Sequence, residues 1–236
     1  MAANTSGGLT AAATTGGLRV GIIDSDISRS GLLLRAARTF CGTSTSGEHS
    51  QHGTRIAELF KDAIVPLEIC AAQVFDQRLS CSPGQVAEAI HWLIEQDVRL
   101  INMSFGLRAD RPVLREACAA ALATGICLVA ASPAQGDPVY PAAYPGVLRA
   151  TGDARCHPGQ IAWLDSAQAD FGGYPGNRET GFVGASAGCA AVCVALAELA
   201  VDMPQMNATD LGRTLAGRAD YRGPERRAPE PGVVAS

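Results

Sequence analysis

The sequence carries no surplus of positive charge. Nineteen basic residues face 23 acidic ones over 236 residues, giving a formal charge of -4 and a pI near 5.6. A nucleic-acid partner calls for a basic face, so none is expected. Lysine is almost missing: Lys61 stands alone, and a composition rich in Ala, Gly and Arg points to a high-GC bacterial source. The eight cysteines form no C-x-x-C pair, which argues against a zinc ribbon or a thioredoxin-like site. Cys70, Cys127, Cys189 and Cys193 lie inside apolar runs, where a free thiol behaves as a small hydrophobe. All eight read as reduced, and hence as belonging to a cytoplasmic protein. The first residues, MAANTSGGLTAAATTGGLRV, lack the basic start and apolar core of a secretory signal. No apolar run reaches the roughly 18 residues a membrane helix needs, so no membrane partner is expected. No acidic loop has calcium-ligand spacing. His49 and His52 have only Cys41 as a nearby thiol, too few donors for a metal site. Neither metal nor cofactor is expected.

What remains is an apolar chain, 47% hydrophobic, of a size that suits one domain. Residues 1–17, rich in Ala, Thr, Ser and Gly, read as a flexible leader; 18–220 form the domain; 221–236, YRGPERRAPEPGVVAS, read as a flexible tail. Between them strand and helix patterns alternate. LRVGIID (18–24), EICAAQVF (68–75), RLINMSF (99–105) and ICLVAAS (126–132) read as buried strands. HGTRIAELFKDAI (52–64), SPGQVAEAIHWLIEQ (82–96) and RPVLREACAAALAT (111–124) read as helices, followed by helices at 186–201 and 208–217. Ser82 is the expected N-cap of the second helix, with Pro83 in its first turn. This alternation predicts an α/β fold with parallel pairing and right-handed crossovers.

In such sheets ligands bind beyond the carboxyl ends of the strands. Asp24 ends the first strand, Met103–Gly106 the third and Ser132–Gly136 the fourth; His52 and Ser186 each open a helix. All point to one edge. A hydroxyl is a poor nucleophile until a base takes its proton, and the base needs a group that fixes its tautomer. Asp24, His52 and Ser186 supply those three parts.

VGIIDSDIS, HGTRIAEL, INMSFG, LVAASPAQG with YPAAYPGVLRATG, and GASAGCAAVCVALAEL resemble, in order, the segments of the subtilisin-like serine proteases, the subtilase family, over residues 18–217. The resemblance implies a three-layer α/β fold whose mainly parallel sheet has about seven strands. It implies peptide-bond hydrolysis, with Ser186 as nucleophile, His52 as base and Asp24 orienting His52. Ser104, Phe105, Gly106 and Ser132 would bind substrate, the first three as an edge to which a peptide adds as a strand. The departures fall on one function. Ala134 stands where the family has its oxyanion Asn, and Ala185 where it has a Thr hydroxyl. The Ser186 N–H remains a donor, and Gln135, one residue on from Ala134, is a second candidate. Three readings stay open: a slow or narrow endopeptidase maturing a ribosomally made precursor peptide or trimming one partner protein, a weak or inactive module that binds a peptide or protein, and an acyl transferase.

Overall fold

The computed structural model describes residues 16–27, 33–42, 51–76, 80–177 and 181–225. Most of the expected leader (1–15), the end of the expected tail (226–236) and His49 lie outside the described residues. In chain order the elements are β1 (Leu18–Asp24), β2 (Leu34–Thr39), α1 (Gln51–Leu59), β3 (Leu67–Gln73), α2 (Pro83–Glu95), β4 (Leu100–Met103), α3 (Pro112–Ala123) and β5 (Cys127–Ala131). There follow β6 (Leu148–Gly152), β7 (Ile161–Trp163), β8 (Phe171–Gly173), β9 (Gly176–Asn177), β10 (Phe182–Val183), α4 (Ala185–Asp202), α5 (Ala208–Arg218) and β11 (Tyr221–Arg222).

Among the described residues nine strands form the main sheet, in the order β11-β7-β8-β6-β5-β4-β1-β3-β2. From β8 to β2 every neighbouring pair is parallel, and this is the expected seven-stranded body. The antiparallel β7 and the two-residue β11 extend one edge. Alternation along β1 feeds two cores. Val20 and Ile22 face a layer holding Ile56 of α1, Cys193 and Leu196 of α4, and Leu211 of α5. Ile23 faces Ile90 and Leu93 of α2 and Leu114 of α3. β1 lies between β3 and β4, so the chain departs from it in both directions, and a crevice opens at its carboxyl end.

Ser82 caps α2 as expected, in a full capping box: its hydroxyl accepts from the Gln85 N–H and the Gln85 carboxamide accepts from the Ser82 N–H. α1 stops at Leu59 instead of Ile64, because Phe60 and Lys61 tighten the chain into i→i+3 bonds. β2 carries no periodic signal that would announce it: it is an edge strand, largely exposed, bearing Arg35 and Arg38 and no buried stripe. The domain also runs past residue 220: Tyr221 and Arg222 pair with Ala162 and Trp163, and the Arg222 guanidinium lies 5.1 Å over the Trp163 ring.

α4 corrects the reading of the apolar runs. By length and composition it is long and apolar enough to cross a membrane. Here it is the central core helix, with Cys189, Val192, Cys193 and Leu196 fully buried. Its small residues let it lie almost on the sheet. A Cβ on Gly188 would stand 2.1 Å from the Thr151 carbonyl oxygen of β6, so only glycine fits.

Candidate active site

The Asp24 carboxylate closes β1 and is 1% exposed. One of its oxygens, Oδ1, accepts two bonds of 2.7 Å, from the Ser25 N–H and from His52 Nδ1. The other, Oδ2, is buried without a partner among the described residues. His52 is placed by the first turn of α1, and that turn is fixed by Gly53. The Gly53 N–H donates to the Ser25 hydroxyl at 2.9 Å, and a Cβ there would stand 2.5 Å from the Ser25 carbonyl oxygen. Backbone contact between α1 and the end of β1 thus sets the distance between imidazole and carboxylate.

The Phe182 ring meets His52 edge-on at 5.7 Å. Burial works against the charged imidazole, but the hydrogen bond from His52 to Asp24 and the carboxylate charge outweigh it, so the His52 pKa is raised above its ordinary 6.5.

Ser186 lies in the first turn of α4, where backbone N–H groups have no carbonyl within the helix to bond. Its hydroxyl donates to the Ser104 carbonyl oxygen at 2.9 Å, and the Ser104 hydroxyl donates back to the Ser186 carbonyl oxygen at 3.2 Å. Asn102 Nδ2 donates to Ser104 Oγ at 2.9 Å, and the Cys189 thiol lies 3.4 Å from Asn102 Oδ1. This buried chain pins the start of α4 to the end of β4. The Cys189 thiol is pushed up to about 12 by burial and stays protonated.

A cleft of about 390 Å3 opens beside the dyad, lined by Asp24, His52 and Ser104–Gly106 together with Phe75 and Leu107. Phe75 and Phe105 meet edge to face at 5.3 Å and make its wall apolar. The half-buried Cys81 also lines it, its thiol raised to about 11 by burial and by the Asp76 charge.

Ser104, Phe105 and Gly106 therefore sit with Asp24 and His52. Ser132 does not: it is buried and its hydroxyl donates to the Gln168 carbonyl oxygen at 2.6 Å, on the wall of a separate cavity. Ala134 and Gln135 are exposed and line a third cavity with Thr151, Gly152 and Asp153. Sequence reasoning missed Ser25, Asn102, Phe75 and Phe182. Ser25 and Asn102 lie inside quoted motifs, but nothing in a single sequence marks a hydroxyl or amide as a support. Phe182 reaches His52 only through the β9–β10 hairpin, which leaves no periodic signal.

The chain matches a family model described as the subtilase family over residues 15–232. It is 32% identical to the minor extracellular protease Epr of Bacillus subtilis over 145 residues, 56% of this chain and 22% of that protein. It is 26% identical to subtilisin DY of Bacillus licheniformis over 233 residues, 87% of this chain and 85% of that protein. A thermostable alkaline protease of Halalkalibacterium halodurans is 31% identical over 56% of this chain; the chain spans 40% of that protein. Among solved structures, sphericase aligns with a TM-score of 0.64 at 18% identity, covering 89% of this chain and 86% of its own. The protease domain of PatA aligns with a TM-score of 0.63 at 19% identity, covering 86% and 88%. The prenylagaramide maturation protease PagA aligns with a TM-score of 0.60 at 16% identity, covering 84% and 82%.

Proposed function

The chain belongs to the subtilase family, and from that premise we propose that it is a serine endopeptidase working through Asp24, His52 and Ser186 on a precursor peptide. One observation carries the assignment of roles: His52 is bonded at 2.7 Å to a buried carboxylate, in a cleft shared with the residue that holds the Ser186 hydroxyl. For turnover the Ser186 hydroxyl leaves the Ser104 carbonyl oxygen that it meets here and donates to the free nitrogen of His52. His52 takes the hydroxyl proton as the oxygen attacks the scissile carbonyl, and returns it to the leaving amine. Water then releases the acyl group by the same route. Asp24 stabilises the imidazolium in both steps.

The Ser186 N–H is one donor to the developing oxyanion. Ala134 offers no side-chain donor. For subtilisin itself such a loss costs about 2.7–4 kcal/mol, roughly 100- to 1000-fold in rate. A slow enzyme suits a dedicated substrate, and PagA, of the same fold, is by name a maturation protease. Eight free thiols, seven of them buried, suit a reducing cytoplasm. A second reading is a peptide-binding module without turnover. Ala134 and the engagement of Ser186 with Ser104 favour it.

A fluorophosphonate probe separates the two. The expected result is one covalent adduct per chain, mapped by peptide mass to Ser186. Folded protein that takes up no probe overturns the catalytic reading. The pH profile is a further prediction. Only neutral His52 can accept the proton, so kcat/KM should fall as the pH drops, with a midpoint above 6.5. A midpoint at or below 6.5 would dissociate the Asp24–His52 pair from turnover.

A further inference from the structure

We propose that Val139 sets the size of the substrate side chain accepted opposite Gly106, so that the chain takes peptides with Gly, Ala or Ser at that position. The proposal rests on the reading that a peptide pairs as a strand along Ser104–Gly106.

Gly106 lines the cleft beside Asp24 and His52, and Val139 lines a larger cavity of about 700 Å3. The two residues touch. A Cβ on Gly106 would stand 2.6 Å from Val139 Cγ2 and 2.8 Å from Val139 Cβ, so the isopropyl group occupies the place that a side chain at 106 would take. The backbone holds it there. Leu107 N–H donates to the Tyr140 carbonyl oxygen at 2.7 Å, and Tyr140 N–H donates to the Leu107 carbonyl oxygen at 2.8 Å. Val139 therefore cannot swing away without breaking a two-bond ladder next to it.

In a sheet, residues directly opposite one another on neighbouring strands point their side chains to the same face. A substrate residue opposite Gly106 sends its side chain to the face where a Cβ of Gly106 would project. On that face stands Val139. A small side chain fits beside the isopropyl group; Leu or Phe meets it. The cavity that Val139 lines holds Ala142, Tyr144 and Val147 near it in sequence, and Arg149, Gln168 and Asp170 on its polar wall.

The test is a binding and cleavage scan. Fluorescent peptides are varied one position at a time, with Ala against Phe. Affinity is read by anisotropy on Ser186→Ala protein, and kcat/KM on the active chain. One position should favour Ala over Phe by about 10-fold or more, since a single methylene in an apolar pocket is worth about 10- to 200-fold. Val139→Gly should move that ratio toward Phe by about 10-fold or more at that position alone. If Val139→Gly does not fold, Val139→Ala carries the same test with a smaller shift. An unchanged ratio in a folded variant overturns the proposal; so does a shift spread over all positions, or no binding of any peptide. Failure of the peptidase reading looks different: wild-type protein takes up no fluorophosphonate while the binding ratio still responds to Val139.

Discussion

Replacing Ser186 by Ala is expected to lower kcat by about 10^6-fold while leaving the protein folded. The magnitude is that measured for the nucleophile of subtilisin itself, and what remains is residual catalysis from binding and the oxyanion donors. The fold should tolerate the change. The hydroxyl makes one hydrogen bond, to the Ser104 carbonyl oxygen, and a net neutral bond is worth about 1 kcal/mol. The reverse bond, from the Ser104 hydroxyl to the backbone of residue 186, survives the substitution and keeps α4 docked on β4. Steady-state cleavage of a quenched peptide, with thermal unfolding as control, checks both parts. A folded variant that keeps more than about 1% of the activity places the nucleophile elsewhere.

Asp24→Asn should lower kcat/KM by about 10^3- to 10^4-fold, for a reason that differs from the usual one. In a Ser-His-Asp triad, an amide in place of the carboxylate imposes the wrong tautomer on the histidine. Here Oδ1 accepts both the Ser25 N–H and His52 Nδ1. An asparagine oxygen at that place keeps both bonds, whereas the flipped amide would aim its NH2 at the Ser25 N–H. The ring orientation is therefore retained and the charge is lost. The new NH2 falls where Oδ2 now lies, buried and unpartnered among the described residues, and adds a cost in stability of about 1–3 kcal/mol. With the carboxylate charge gone, burial and the Arg55 charge still act against the imidazolium, and the midpoint of the pH profile should move down from that of the unchanged protein. A midpoint that stays in place, measured by histidine NMR titration, would remove Asp24 from the role given to it. The raised pKa acts oppositely on the fold. The stability it contributes is full below the unfolded value near 6.5 and is lost as the pH rises through the folded one, the range in which the base becomes competent.

The chemistry-bearing ends of the strands are legible because each follows a largely apolar run, Asp24 after LRVGII and Ser104 after LINM. Since the alternation of strand and helix dictates parallel pairing, those ends have to share one edge, and Asp24, Ser104 and His52 do. Ser82 and Pro83 are readable because capping chemistry is local. What escapes is set by contacts far apart in the chain. β2 is an exposed edge strand, β7–β11 are two or three residues each, and Phe182 meets His52 across 130 positions of sequence. Ser132 has the look of a cleft residue because it follows the end of β5; its hydroxyl is drawn instead to Gln168, which comes from the turn before β8.

Gly53 and Gly188 carry one more consequence. At both, a helix bearing a reactive side chain rests on main-chain atoms at the sheet with no room for a single extra carbon. The approach of each of these helices to the main chain is thus set at one point by a hydrogen atom, whose size does not vary. Two positions with no side chain, neither of them a reactant, are therefore as exacting as the reactive residues: any substitution at Gly53 or Gly188 would push the imidazole or the hydroxyl off its seat.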